Sequence, residues 1–184
     1  MNFSIQTILE NEKVILYPLN ENDFDALYNV ACDPEIWKQH PNKNRWEKEV
    51  FQSFFEGALQ SKGAFKIVDK STNNVIGSTR FYDYNHQENS ILIGYTFYGT
   101  DYWGKGINQQ VKATMLDYIF QFVSKVHFLV GAENVRSQIA ISRLKAEKVA
   151  EQEVSYFKEQ PKLNFVYEIS KENWNNYKVN KEVK

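Results

Sequence analysis

Apolar residues recur along the chain at two spacings, and these predict most of its elements. The run 14–19 (VILYPL) reads as a first strand. Asn22 or Asp23 is placed to cap a helix whose apolar positions are Phe24, Leu27, Tyr28 and Ala31. The pair Asp33-Pro34 ends it, because the residue before a proline avoids helical geometry. A second helix covers about 46–60, with Trp46, Val50, Phe54, Phe55, Ala58 and Leu59 on one broad face and Gly63 as its stop signal. Strands follow at 64–69, 75–84 and 90–98, joined by the polar segments STNN and NHQEN, as a meander of about three antiparallel strands. Val111, Met115, Tyr118, Ile119 and Phe122 mark a helix from about 107 to 124. A short strand at 127–131, a helix over about 135–146 and two strands at about 148–157 and 163–170 complete the order β-α-α-β-β-β-α-β-α-β-β. The polar tail after Trp174 is expected to fray.

Composition narrows the class. A chain of 184 residues fits one domain, 1–184, able to bury a core without disulfides or metals. At 42% apolar and 15% aromatic it is a globular composition. With 22 basic and 23 acidic residues, the net charge of −1 argues against a general electrostatic grip on nucleic acid or on an anionic membrane. Cys32 is the only cysteine, which excludes a disulfide framework and a cysteine-based zinc site; no metal is expected. The start, MNFSIQTILENEK, lacks the pattern of a secretory signal, and no window approaches the ~18 consecutive apolar residues of a membrane span. A cytoplasmic location is the expectation.

The chemistry concentrates at 98–110 (YGTDYWGKGINQQ), where a strand meets a glycine-rich turn and then a helix. Gly104 and Gly106, one residue apart, let the backbone turn tightly and approach a ligand. The first helical turn leaves amide N–H groups unpaired, with the positive end of the helix dipole beside them. Such a junction is an anion site, although a tight turn before a helix has the same appearance. Lys105 adds attraction at the rim, and the Asn108 side chain is placed to cap the helix. Neither GxxxxGK[ST] nor GxGxxG is present, which argues against a nucleotide-binding module.

The run IGYTFYGTDYWGKGIN resembles the core motif of the GCN5-related N-acetyltransferases (GNAT family), especially the branch of the ribosomal-protein N-terminal acetyltransferases. Against the family pattern Gln/Arg-x-x-Gly-x-Gly/Ala, Trp103 takes the first place, Gly106 the middle one and Asn108 the last. Downstream, Asn134-Val135-Arg136-Ser137 resembles the family's Asn-x-x-Ser segment. Arg143-Leu144-Lys145-Ala146 stands where the family has Lys-x-Gly-Phe/Ala, so Lys145 replaces a helix-closing glycine. The opening VILYPLNENDFDALY and the closing NFVYEISKENW also match, so the resemblance covers about residues 12–175 in order.

That resemblance implies an α+β, three-layer GNAT-like fold. Its central sheet is mixed but mostly antiparallel, of about six or seven strands, flanked by about four helices. It implies acetyl-CoA as acyl donor, an amine acceptor and direct attack of the amine on the thioester. Thr96, Phe97 and Tyr98 would line one side of the pantetheine arm, and the amides of Trp103, Gly104, Lys105, Gly106, Ile107 and Asn108 would hold the pyrophosphate. Asn134 would reach the arm from the other side; a helix N-cap is a compatible role. Many relatives protonate the leaving thiolate with a Tyr seven residues after that Asn. Here Ile141 stands there, and Ser137 is the remaining hydroxyl, as in the branch the chain resembles, although Ser at a first helical turn also serves structure. For the base, Asp83, His86, Glu88 and Tyr95 lie on or near the central strands, His40 precedes Pro41 between the first helices, and His127 begins a strand. Trp37, Trp46, Phe81, Tyr82 and Tyr84 line an acceptor pocket or belong to the core. Homodimers through the terminal strands are common in the family. A catalytically weak or inactive acyl-CoA-binding protein on the same fold is the competing expectation, kept open by Asn108, Ile141 and Lys145.

Overall fold

A computed structural model describes residues 3–155 and 160–182. The strands are β1 (Leu9–Glu10), β2 (Val14–Pro18), β3 (Ala64–Asp69), β4 (Val75–Asn85), β5 (Ser90–Tyr98), β6 (Lys125–Gly131), β7 (Glu147–Val154) and β8 (Lys162–Ser170). The helices are α1 (Phe24–Ala31), α2 (Pro34–Trp37), α3 (Lys48–Gln60), α4 (Ile107–Ile119), α5 (Val135–Ser142) and α6 (Lys171–Glu182). All eight strands form one sheet in the order β1-β2-β3-β4-β5-β6-β8-β7, antiparallel except for the parallel pair β5–β6. The fold is the α+β arrangement expected, with eight strands where six or seven were expected and six helices where four were.

Each face of the sheet carries its own core. On one side α4 sends Val111, Met115 and Ile119, all fully buried, onto Phe81, Ile91 and Phe128. On the other, Leu27 and Ala31 of α1 pack with Phe51, Phe54 and Phe55 of α3 around Trp37 and Phe97. Burial of side chains of this size contributes about 1.5–3 kcal/mol each before entropic costs.

Several local expectations need correction. Of the two expected caps, Asp23 holds the N-cap position of α1 but makes no side-chain cap bond there; its carboxylate instead closes a capping box with Asn20, which caps a preceding 3-10 turn, Glu21–Asp23. Asp23 is buried in an ion pair of 2.6 Å with Lys66. Asp33 does not only end a helix, since its carboxylate accepts from the Glu35 amide and starts α2. Gly63 is not the stop signal of α3; Lys62 takes the left-handed conformation there (φ 50°). A Cβ on Gly63 would lie 2.1 Å from the Phe81 carbonyl, so that glycine serves strand contact. Trp46 stays out of the core, 40% exposed, and Phe51 takes the central place. Phe122 lies beyond the end of α4 and is exposed.

The tail does not fray over its described length: α6 follows β8 directly, Trp174 is buried, and its Nε1 donates to Asp117 Oδ1 at 2.8 Å. Helix α5 ends at Ser142, and Lys145 adopts φ 65°, so the position that carries glycine in the resembled family does demand a left-handed residue here. Residues 156–157 of the strand expected at 148–157 and the last two of the tail lie outside the described residues.

Candidate active site

Strands β5 and β6 pair only at Ser90–Leu92 with Lys125–His127. Beyond Leu92 they separate, while β6 keeps its register with β8 as far as Gly131 opposite Asn164. A cavity of about 470 Å³ opens in the gap, walled by β5, β6, the start of α4 and α5, and reached by His40, Pro41 and Arg45 from the segment after α2.

β5 bends where the gap opens. Ser78 faces Phe97 and Arg80 faces Gly94, so Thr79 alone opposes both Tyr95 and Thr96. This is a bulge, with Tyr95 held at φ 54°. It leaves Tyr95 and Thr96 outside the β4 register at the cavity wall.

The glycine turn forms the mouth. Gly104 and Gly106 have φ of 72° and 75°, and a Cβ on either would find no atom within 4 Å. The glycines are therefore demanded by backbone conformation, with open space beside them. Gly106 is the N-cap of α4, no side chain caps the helix, and no acidic residue sits in its first turn. Those amides are unpaired donors at the positive end of a 13-residue helix, a fit for an anionic diphosphate. Asn108 is not the cap; its Oδ1 accepts from the Tyr98 hydroxyl at 3.3 Å. Burial pushes the Tyr98 phenol well up, so it stays a donor.

Of the residues singled out in the sequence, Thr96, Phe97, Tyr98, Trp103, Gly104, Gly106, Ile107, Asn108, Asn134 and Ser137 all line this one cavity. Lys105 does not; it is exposed, with its ammonium 5.6 Å from the Tyr102 ring. Asn134 is buried and caps α5, accepting from the Ser137 amide at 3.1 Å. Ile141 also lines the cavity, as do Tyr82, Tyr95 and His40 among the base and acceptor-pocket candidates. Burial, then Arg45 and Arg136, pull the His40 imidazole down to about 3, so it is neutral and a weak base. Asp83, Tyr84, His86 and Glu88 gather around a different hollow. His127 pairs with Glu168 at 2.8 Å. Trp37 and Phe81 are fully buried core.

Three features had no sequence signal. The Arg136 guanidinium stacks on Trp103 at 3.9 Å, joining the α5 wall to the glycine turn. Arg80 is buried beneath the bulge, 3.9 Å from the Tyr95 ring; its Nη1 donates to the Gly57 carbonyl at 3.0 Å, and burial lowers it to about 10. Lys112, on α4, reaches the cavity floor and hydrogen-bonds Thr79 and Thr96. Its position between Val111 and Met115 marks it as surface in a helical pattern, and only the facing threonines across two strands betray its burial.

Among the described residues no helix is long and apolar enough to cross a membrane, and no group of three His, Cys, Asp or Glu is placed to hold a metal.

Comparisons with known proteins agree on this region. A family model described as an acetyltransferase (GNAT) domain matches residues 13–147. An uncharacterized N-acetyltransferase p20 of Bacillus licheniformis is 26% identical over 148 residues, covering 76% of this chain and 82% of the relative. Among solved structures, a GCN5-related N-acetyltransferase from Brucella melitensis superposes with a TM-score of 0.80 at 17% identity, over 92% of this chain and 81% of that one. A spermidine N-acetyltransferase from Vibrio cholerae, in complex with CoA and spermine, superposes with a TM-score of 0.66 at 16% identity, over 90% of this chain and all of that one. At such identities the structures speak for the fold alone.

Proposed function

The chain belongs to the GNAT acetyltransferase family, whose model matches residues 13–147, and we propose that it moves an acetyl group from acetyl-CoA to a primary amine by direct attack on the thioester. The observation that carries this reading is the pair of left-handed glycines and the uncapped α4 amides, opening on the gap between β5 and β6.

Acetyl-CoA supplies an activated acyl group and a thiolate leaving group. The amides of 104–108 hold its pyrophosphate, with the helix dipole favouring the negative charge, whereas the expected Trp103 amide is engaged by the Thr100 carbonyl at 3.1 Å. Thr96, Phe97 and Tyr98 on β5 and Asn134 on the opposite wall border the pantetheine arm. Tyr95 and Thr96 lie where β5 has parted from β6, and a β5 amide facing that gap would polarise the thioester carbonyl. Ser137 lies beside Asn134 at the first turn of α5, where its hydroxyl would hydrogen-bond the sulfur. Tyr82 and Tyr95 line the cavity where an acceptor would enter. The acceptor class is a protein N-terminus, an amino acid or another small amine, in keeping with the resemblance of the 93–108 motif to the ribosomal-protein branch.

Ile141 favours a second reading. It is buried on the cavity wall where many relatives carry a tyrosine acid, so a weak or inactive acyl-CoA-binding protein on this fold is the alternative. A thermal shift with acetyl-CoA tests binding: at 100 times its dissociation constant it stabilises by about 2.7 kcal/mol. Release of free thiol over a panel of amines and free peptide N-termini then separates the two readings. No shift would refute both, and a shift without acceptor-dependent thiol release would favour the binder.

A further inference from the structure

Lys112 is 3% exposed, yet it faces the cavity. Its Nζ donates to Thr96 Oγ1 at 2.5 Å and to Thr79 Oγ1 at 3.0 Å, and the two hydroxyls lie 2.8 Å apart. The amine therefore sits directly under the bulge, where β5 and β6 part. No carboxylate among the described residues pairs with it. Its hydrogen-bond partners are uncharged, Thr79 from β4 and Thr96 from β5, and the charged side chains lining the same cavity are the cations Arg45, Arg136 and Arg143, with His40 neutral. The Tyr98 phenol, also on the wall, is held protonated by burial. A buried cation without an anion is costly, and it persists where a ligand or an intermediate supplies the charge. Burial lowers the Lys112 amine to about 7, and an anion beside it would hold its proton.

We propose that Lys112, beside the β5 bulge in the β5–β6 gap, is the cation that stabilises the leaving CoA thiolate, in the role left open by Ile141. The proposal rests on the acetyl-CoA reading above. As the acceptor nitrogen bonds to the carbonyl carbon, the C–S bond breaks and its electron pair stays on sulfur. The thiolate pairs with the Lys112 ammonium and takes a proton from solvent as CoA leaves. The proton shed by the acceptor nitrogen passes to solvent. Ser137, whose hydroxyl is far too weak an acid to give up a proton here, supplies only a hydrogen bond from the opposite wall.

The test needs no acceptor. CoA and desulfo-CoA are titrated from pH 5 to 10 in complex with the protein, and the ultraviolet difference between the complexes reports the thiolate. A free thiol ionises near about 8.5, and a cation within a few ångströms lowers that by about 1–3 pH units. The bound thiol in the native protein should therefore ionise at least one pH unit below free CoA. Lys112→Met should move the value most of the way back to that of free CoA with CoA still bound, while Ser137→Ala, which removes one neutral hydrogen bond, should keep most of the lowering. A bound thiol that ionises like free CoA in the native protein overturns the role of Lys112, whether or not the variant folds, and so does an equal lowering in native protein and Lys112→Met. Failure of both ligands to bind the native protein sinks the acetyl-CoA reading itself, and this proposal with it.

Discussion

Replacing Gly106 by alanine separates what the fold needs from what the ligand needs. At φ 75° an alanine pays the left-handed penalty of about 1 kcal/mol, but no protein atom lies within 4 Å of its Cβ. For a chain of this length that lowers Tm by roughly 2–4 °C. The new methyl projects into the space beside the α4 amides, where the phosphates are expected. Each charge-assisted hydrogen bond displaced costs about 1.5–3 kcal/mol, which is roughly a 10- to 150-fold loss of affinity. Titration calorimetry with CoA, run beside thermal denaturation, measures both. Gly63→Ala is the contrasting control: its Cβ would meet the Phe81 carbonyl at 2.1 Å, so it should damage folding with no selective effect on the ligand. If Gly106→Ala bound CoA within twofold of the native protein while showing the small Tm loss, the glycine turn would not be the phosphate site.

Three further outcomes follow from the structure. Lys145→Gly should raise Tm by about 2–4 °C, because the exposed Lys145 holds φ 65° at a cost of about 1 kcal/mol that glycine avoids; an unchanged or lower Tm would count against that strain. His40 is neutral in the fold down to about 3 and takes a proton near its usual 6.5 when unfolded, so the unfolded chain binds more protons between those values. Its contribution is complete above about pH 6.5 and is lost as pH falls toward 3, a few kcal/mol at most, and His40→Gln should flatten the slope of stability against pH across that window in urea titrations. Trp174→Phe removes the hydrogen bond to Asp117 and should cost about 1 kcal/mol, whereas Trp174→Ala should cost about 3–5 kcal/mol by denaturant unfolding; equal, negligible effects would mean that α6 does not anchor there.

The elements that were legible in the sequence are those whose signal is local. Strands β3 and β5 fall at the expected residues because each apolar run is bounded by polar turns, and α4 starts at Ile107 because Gly106 punctuates it. Lys145 was legible as a problem for the same reason: a left-handed position is a property of one residue. Where the partner is distant, local patterns mislead. The tail reads as polar and loose, yet Trp174 and Tyr177 dock on α4 through Asp117 and Gln109, residues 57 and 68 positions away in the chain. Gly63 reads as a helix stop because nothing local reveals the Phe81 backbone against it. The cavity itself was legible on both walls, since the glycine turn and the Asn134 segment each carry a motif, but its floor carries none.

That asymmetry bears on where the chemistry of this chain differs from its relatives. The proposed phosphate site, built from backbone amides, would tolerate Trp103 and Asn108 at unusual motif positions, because its donors are set by φ at Gly104 and Gly106. Side-chain chemistry has no such protection: Ile141 cannot donate a proton, and its carbon skeleton fills the wall. The polar atoms nearest the bulge then belong to Thr79, Thr96 and Lys112, which come from three different elements and touch only because β5 bulges at Tyr95. A buried lysine among two threonines would weaken an ordinary helix–sheet contact relative to an apolar side chain of similar volume. Its presence at the one point where the sheet opens toward the ligand ties that cost to the reaction and not to the fold.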